Sequence, residues 1–316
     1  MTITLNSMTS FSSSTTGAHE TVLLTEAIVG LSIQPNDIVV DATIGGAGHF
    51  KKILGELDGR GTLVGIDADV GAIERAQATS MDAEATVHLV EENFRNLGSV
   101  LDQLSIECID KSLFDLGWSG FHLTSGRGFS FRAQEPLHMT YGTPKAGNTA
   151  ADLLNKASEE AIADMLYSLG EERFARQIAR GVVEAREVKD IETTDDLVAI
   201  VLASTPRWYQ SRRIHPATKT FQALRIAVND ELGALRDGLT TAIERTKVGG
   251  RIAVITFHSI EDRIVKQMFR DAAHEGRGVL VTKKPIVPST AELSQNPRAR
   301  SAKLRIFERS SQNAYV

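Results

Sequence analysis

Between residues 37 and 115, short apolar runs alternate with amphipathic stretches. This rhythm restricts the chain to a mainly parallel sheet covered by helices on both faces. The runs are Ile38 to Ala42, Thr62 to Ile66, Thr86 to Val90 and Cys108 to Phe114. Helical periodicity fills the gaps at about 48 to 57, 69 to 79 and 95 to 103.

The rhythm stops at 120, where helix signals take over. Thr149 and Ser158 each precede a helical run as N-caps, and Gly170 is placed to end the second. Phe174, Ile178, Val182 and Ala185 form one apolar stripe, and a further helix from about 194 stops before Pro206. Pro216 then suits the first turn of one long helix reaching Ile243. A fifth strand, Arg251 to Phe257, follows, then a helix from about 260 to 271 and a closing hairpin of 279 to 282 with 303 to 307. The expected organisation is a Rossmann-like α/β domain made of 19–120 and 216–316, interrupted by an all-helical insert at 121–215.

The first eighteen residues hold ten Ser or Thr and no charge, and read as a disordered tail. No apolar run reaches the 18 residues or so that a membrane span needs, so a cytoplasmic protein without a membrane partner is expected. One cysteine, Cys108, excludes an internal disulfide and any Cys-rich zinc site, and is expected to pack in a core. The net charge of -5 argues against a uniformly basic surface, which moves attention to local patches.

The first strand runs into D-A-T-I-G-G-A-G-H, residues 41 to 49, a glycine loop that opens a helix and can bring backbone N–H groups against a ligand. Thr43 stands where a dinucleotide fingerprint needs glycine, which makes an NAD dehydrogenase the weaker reading. The second strand ends in G-I-D-A-D, where Asp67 can accept hydrogen bonds from both ribose hydroxyls of a nucleoside cofactor; the plainer alternative is that Asp67 or Asp69 caps the next helix.

The fourth strand ends in Asp115-Leu116-Gly117-Trp118. An acid, an aliphatic residue, a glycine and an aromatic at this edge match the tetrad of methyltransferases that modify exocyclic amino groups of bases. Such an amino nitrogen is a poor nucleophile because its lone pair is conjugated into the ring. A carboxylate (Asp115) and a carbonyl (Leu116) that accept its two hydrogens, with an aromatic platform (Trp118) for the base, supply what the reaction lacks. S-adenosylmethionine is then the cofactor, and no metal is needed. His258, Ser259, Glu261 and Asp262 suggest no metal or hydrolytic centre, because Ser259 reads as a helix N-cap.

Longer motifs accompany the tetrad: H-E-T-V-L-L, R-G-F-S-F at 127–131, G-E-E-R at 170–173, H-P-A-T-K-T-F-Q-A-L-R-I-A-V-N-D-E-L at 215–232, F-H-S-I-E-D-R-I-V-K at 257–266 and N-P-R-A-R-S-A-K-L-R at 296–305. With these the chain resembles, from His19 onward, the bacterial 16S ribosomal RNA cytosine-N4 methyltransferases of the MraW/RsmH family. The resemblance implies a class I methyltransferase sheet with a helical recognition insert. It also implies methylation of N4 of a decoding-centre cytosine, and cofactor contacts at Ala47, Gly48, His49, Asp67, Phe94, Asp115 and His122, beside Gly45 of the same loop. The chain departs from the family pattern in G-G-A-G-H-F for G-R-G-G-H-S, W-S-G-F-H for V-S-S-P-Q and P-L-H-M-T-Y for P-L-D-M-R-M.

Residues 207 to 225 hold five Lys or Arg and no acid, with Trp208 and Tyr209 interleaved, and residues 277 to 309 hold eight Lys or Arg against two acids. Phosphate contacts and base stacking would explain both, with Arg207, Arg212, Arg213, Lys219, Arg298 and Arg300 facing 16S rRNA in the small subunit. Arg225 and Asn229, one helical turn apart, could orient RNA or cross-link helix to sheet, the structural role being the favoured one. A methyltransferase for another RNA amino group and a non-catalytic ribosome-binding factor stay open as alternatives, as does a homodimer.

Overall fold

The computed structural model describes residues 21–117, 123, 125–142 and 147–311. Strands β1 (Ile38–Asp41), β2 (Thr62–Asp67), β3 (Thr86–Glu91), β4 (Ile109–Asp115) and β5 (Thr246–Thr256) run parallel. β7 (Lys303–Arg309) inserts antiparallel beside β5 and carries β6 (Gly278–Leu280), giving the order β3-β2-β1-β4-β5-β7-β6. This Rossmann-like order with an antiparallel strand near one edge is the class I methyltransferase sheet.

Alternate residues of each strand enter opposite cores, as the pleat requires. Val39, Leu63 and Leu113 face α1 (Leu24–Leu31), α2 (Gly48–Glu56) and α3 (Val70–Ser80), whereas Val40, Val64 and Phe114 face α4 (Leu97–Gln103) and later helices. Cys108 lies just before β4 and is only partly buried, short of the core position expected of it.

After β4 the chain builds a helical unit: α5 (Ala150–Lys156), α6 (Glu159–Gly170), α7 (Ala175–Arg186), α8 (Thr194–Ser204) and the short α9 (Arg207–Gln210). Thr149 and Ser158 cap their helices as expected. Gly170 does not take the left-handed cap: it is the last helical residue, and Glu171 (φ 50°) turns the chain. Glycine is required at 170 for a different reason, since a Cβ there would sit 2.6 Å from the Lys219 carbonyl oxygen of the crossing helix.

The single long helix expected after Pro216 is two, α10 (Thr218–Asn229) and α11 (Glu231–Arg245). Asp230 breaks it in the left-handed region (φ 44°), a conformation Asp tolerates better than most residues. The break divides the packing. Ala217, Phe221, Ala223 and Leu224 belong to the helical unit's core, and Leu235 and Leu239 to the sheet's. By packing, the helical unit therefore closes at Asn229 and not at 215. α12 (Ser259–His274) and α13 (Thr290–Gln295) complete the chain.

Candidate active site

The sheet order reverses between β1 and β4, so the loops leaving these strands diverge at their carboxyl ends and open a crevice. The resulting cleft is open to solvent and is lined by residues from the carboxyl ends of β1, β2 and β4. Three strands end in an acid: G-I-D ends β2 at Asp67 and L-F-D ends β4 at Asp115, both lining the cleft, and V-V-D ends β1 at Asp41, which is fully buried two residues short of them in the strand register.

The glycine loop holds a left-handed conformation at Gly45 (φ 51°) and again at Ala47 (φ 61°), the residue that starts α2 without a side-chain cap. Gly48 lets the N-terminal segment close over the loop, because a Cβ there would fall 1.7 Å from Thr21 Oγ1. Thr21 and Val22, Gly45, Gly48 and His49 all line the cleft.

Asp67 Oδ2 accepts from Gly45 N–H at 2.8 Å and Oδ1 from Asp69 N–H at 2.9 Å. Burial raises its pKa, against the opposing pull of these two N–H groups. Asp69 occupies the N-cap of α3, but its carboxylate accepts from the Arg75 guanidinium at 3.5 Å and from no backbone N–H of the helix, so neither acid serves as a plain cap. Each Asp67 oxygen keeps a lone pair for a ribose hydroxyl. Phe94, in the 3₁₀ turn Phe94–Asn96, lines the cleft beyond Asp67 and meets Phe114 edge-on with ring centroids 5.7 Å apart.

Asp115 is the last residue of β4. Its N–H donates to Thr43 Oγ1 at 2.6 Å, which gives a positive reason for threonine where a dinucleotide fingerprint has glycine. Asp115 Oδ2 lies 3.4 Å from His49 Nδ1, while its buried Oδ1 takes no hydrogen bond from any described residue. Burial raises the pKa of fully buried Asp41 to about 7, with the neighbouring Asp115 and Asp67 adding to the effect and His49 and the Thr43 N–H opposing it. Burial works against charging His49, and the Asp115 hydrogen bond and charge, with the Asp41 charge, more than offset it, so its pKa is raised.

The far wall comes from the junction with the helical unit. Arg225 Nε and Nη2 donate to the two Glu231 oxygens at 2.8 and 2.9 Å, and the Tyr141 hydroxyl donates to the same carboxylate at 2.7 Å. Asn229 accepts from Tyr141 N–H at 2.9 Å and donates to the Met139 carbonyl at 2.7 Å. Arg225 and Asn229 are thus cross-links, tied to α11 and the 139–141 loop instead of the sheet. His258, and not Ser259, caps α12: its ring accepts from Glu261 N–H and the Glu261 carboxylate accepts from His258 N–H. Glu231, His258 and Glu261 bring ligand-type atoms within 4.8 Å of one another, a grouping no linear spacing reveals, with the Glu231 carboxylate already taken by Arg225.

Of the residues read from sequence, the fold gathers Gly45, Gly48, His49, Asp67, Phe94, Asp115 and Leu116 in the cleft lining, with Ala47 buried at the base of the loop. Trp118 and His122 lie outside the described residues. Arg298 reaches the cleft, Arg300 is exposed, and Arg207, Arg212 and Arg213 are exposed on and after α9. Lys219 Nζ donates to the Glu171 carbonyl at 2.6 Å. Within the basic C-terminal segment, Lys303 and Arg305 pair with Asp262 and so do not belong to a free basic patch. Sequence reasoning missed Asp41, Thr43, Tyr141, Glu231 and Glu261. The repeated strand-ending aspartate was a usable signal for the first, and none marked Tyr141, which arrives from a loop of the helical unit.

Residues 16–310 match the model of the MraW methylase family. A Deinococcus radiodurans protein named ribosomal RNA small subunit methyltransferase H is 45% identical over 94% of this chain and 91% of its own length. A protein of the same name from Brevibacillus brevis is 42% identical over 92% of this chain and 98% of its own. Among solved structures, an rRNA methylase from Streptococcus thermophilus is 12% identical, covers 92% of this chain and 93% of that chain, and has a TM-score of 0.41.

Proposed function

The chain belongs to the MraW methylase family, and from that premise we propose that it methylates N4 of a decoding-centre cytosine in the 16S RNA of the small ribosomal subunit, with S-adenosylmethionine as methyl donor. The name shared by its relatives supports small-subunit ribosomal RNA as the substrate class, and the cytosine N4 target follows from the family resemblance. The observation that carries the reading is the Asp115 carboxylate, set at the switch point with one oxygen beside His49 and the other buried without a described partner.

The cleft residues fit the cofactor. Asp67 offers acceptors to the ribose hydroxyls, the Gly45 to His49 turn offers close backbone approach, and Phe94 offers a ring at the nucleoside end. His122 joins this set by family resemblance. When bound, S-adenosylmethionine supplies an electrophilic methyl group on a sulfonium centre.

Asp115 and the Leu116 carbonyl accept the two amino hydrogens of the cytosine, which restores electron density to N4. N4 would take the methyl group as the S–CH3 bond breaks and S-adenosylhomocysteine leaves, and would afterwards lose one proton to the Asp115 carboxylate. His49 holds that carboxylate from behind. Trp118 stacks on the flipped base, and Arg207, Arg212, Arg213, Lys219, Arg298 and Arg300 take the RNA backbone.

The test is methylation of small subunits from a strain lacking the modification, read by nucleoside mass spectrometry. 4-Methylcytidine should appear with the wild-type protein and vanish with Asp115→Ala. Unmodified cytosine, or a methyl group on a different nucleoside, would sink the reading.

A further inference from the structure

Trp208 is 50% exposed, yet its ring is held in place. Phe174 and Tyr209 meet it edge-on at centroid distances of 5.8 and 5.9 Å. Tyr209 is buried and its OH donates to Glu172 Oε2 at 2.7 Å, so Tyr209 is an anchor and not the second stacking surface that the sequence suggested. Gln210 fixes the end of α9 through the Leu202 and Thr205 carbonyls, both at 2.7 Å.

Around this ring stand Arg173 and Arg212, with guanidinium carbons 5.5 and 5.6 Å from its centroid, and the exposed Arg207 and Arg213 are close in sequence. Among the described residues, no carboxylate pairs with any of these four arginines. In a chain of net charge -5, unpaired cations gathered about an exposed tryptophan are complementary to a polyanion with flat bases.

The G-E-E-R run, residues 170 to 173, ties this surface to the reaction centre. Glu172 holds Tyr209, Arg173 lies over Trp208, and Glu171 accepts from Ser259 Oγ and Arg263 Nη2, each at 3.0 Å, at the start of α12. Phe257 and Glu261, on either side of Ser259, line the cleft.

We propose that Trp208, flanked by Arg173 and Arg212, is a stacking platform for one unpaired base of the substrate RNA, outside the catalytic pocket and held in register with it by Glu171. This rests on the RNA-methylating reading above and adds a second base-binding point to it. An arginine that lies against the ring in the free protein moves to a phosphate as the base takes its place. Loss of one base–aromatic stack weakens binding by roughly 5- to 150-fold.

The chain has two tryptophans, so a Trp118→Phe protein reports on Trp208 alone. Single-stranded RNA spanning the target should quench its emission, and duplex RNA of the same sequence should quench it far less. In the otherwise wild-type chain, Trp208→Leu keeps an apolar contact with Phe174 and Tyr209 but cannot stack. It should raise KM for subunits roughly 5- to 150-fold with kcat and S-adenosylhomocysteine affinity unchanged, and Trp208→Phe should recover part of the loss. A KM for Trp208→Leu within about twofold of wild type, or no quenching by single strands, overturns the proposal. Quenching by assembled subunits but not by naked RNA also overturns it, because a ribosomal protein would then be the partner. Failure of the methylation reading is separately visible, as wild-type protein that transfers no methyl group while single-stranded RNA still quenches Trp208.

Discussion

His49 Nδ1 lies 3.4 Å from Asp115 Oδ2, so the helix opened by the glycine loop of β1 holds the acid delivered by β4. Asp41 shares this buried neighbourhood, and burial pushes its pKa from 3.8 to about 7. Between those values the folded protein binds a proton that the unfolded chain has released, so stability falls as pH rises through the window. The raised pKa of His49 acts in the same direction, its contribution being lost as pH rises through the folded value. Denaturant unfolding at pH 5 and pH 8 should show Asp41→Asn removing a decline of roughly 2 to 3 kcal/mol. An undiminished decline in the variant would contradict the assignment.

Ala47 takes φ 61°, where an L-residue is strained and glycine is not. Ala47→Gly should therefore stabilise the fold by about 1 kcal/mol, less the small loss of a buried methyl. The same relief should tighten S-adenosylhomocysteine binding if the strain opposes loop closure, and calorimetric titration measures it directly.

Gly238 on α11 packs so closely under Phe94 that a Cβ would sit 2.8 Å from both its ring and its carbonyl oxygen. Gly238→Ala should push Phe94 into the cleft. S-adenosylhomocysteine affinity should fall by about tenfold, the equivalent of roughly 1.4 kcal/mol, although residue 238 touches no ligand. Unchanged affinity would show that Phe94 does not contact the cofactor.

Arg225 is fully enclosed and pairs bidentately with Glu231. Burial opposes its charge, and the Glu231 carboxylate more than offsets this. Arg225→Met leaves Glu231 buried without its cation and should cost about 3 to 5 kcal/mol, whereas adding Glu231→Met should recover much of that. A double variant as unstable as the single one would mean that packing, and not charge, sets the cost.

Period and punctuation alone carried the parallel sheet, the helices that follow β4, the caps at Thr149 and Ser158 and the glycine loop. These are local properties, because a strand or a capped helix is specified by neighbours two to four residues away. Asp67 and Asp115 were legible for the same reason, each standing at the end of an apolar run. Only the tertiary structure decided what depends on separate segments meeting: Thr43 bonding Asp115 across 72 positions, His49 reaching the same residue, and the Arg225–Glu231–Tyr141 wall. It also split the helix at Asp230, because one half packs on the helical unit and the other on the sheet, a choice made by two cores that no local pattern encodes.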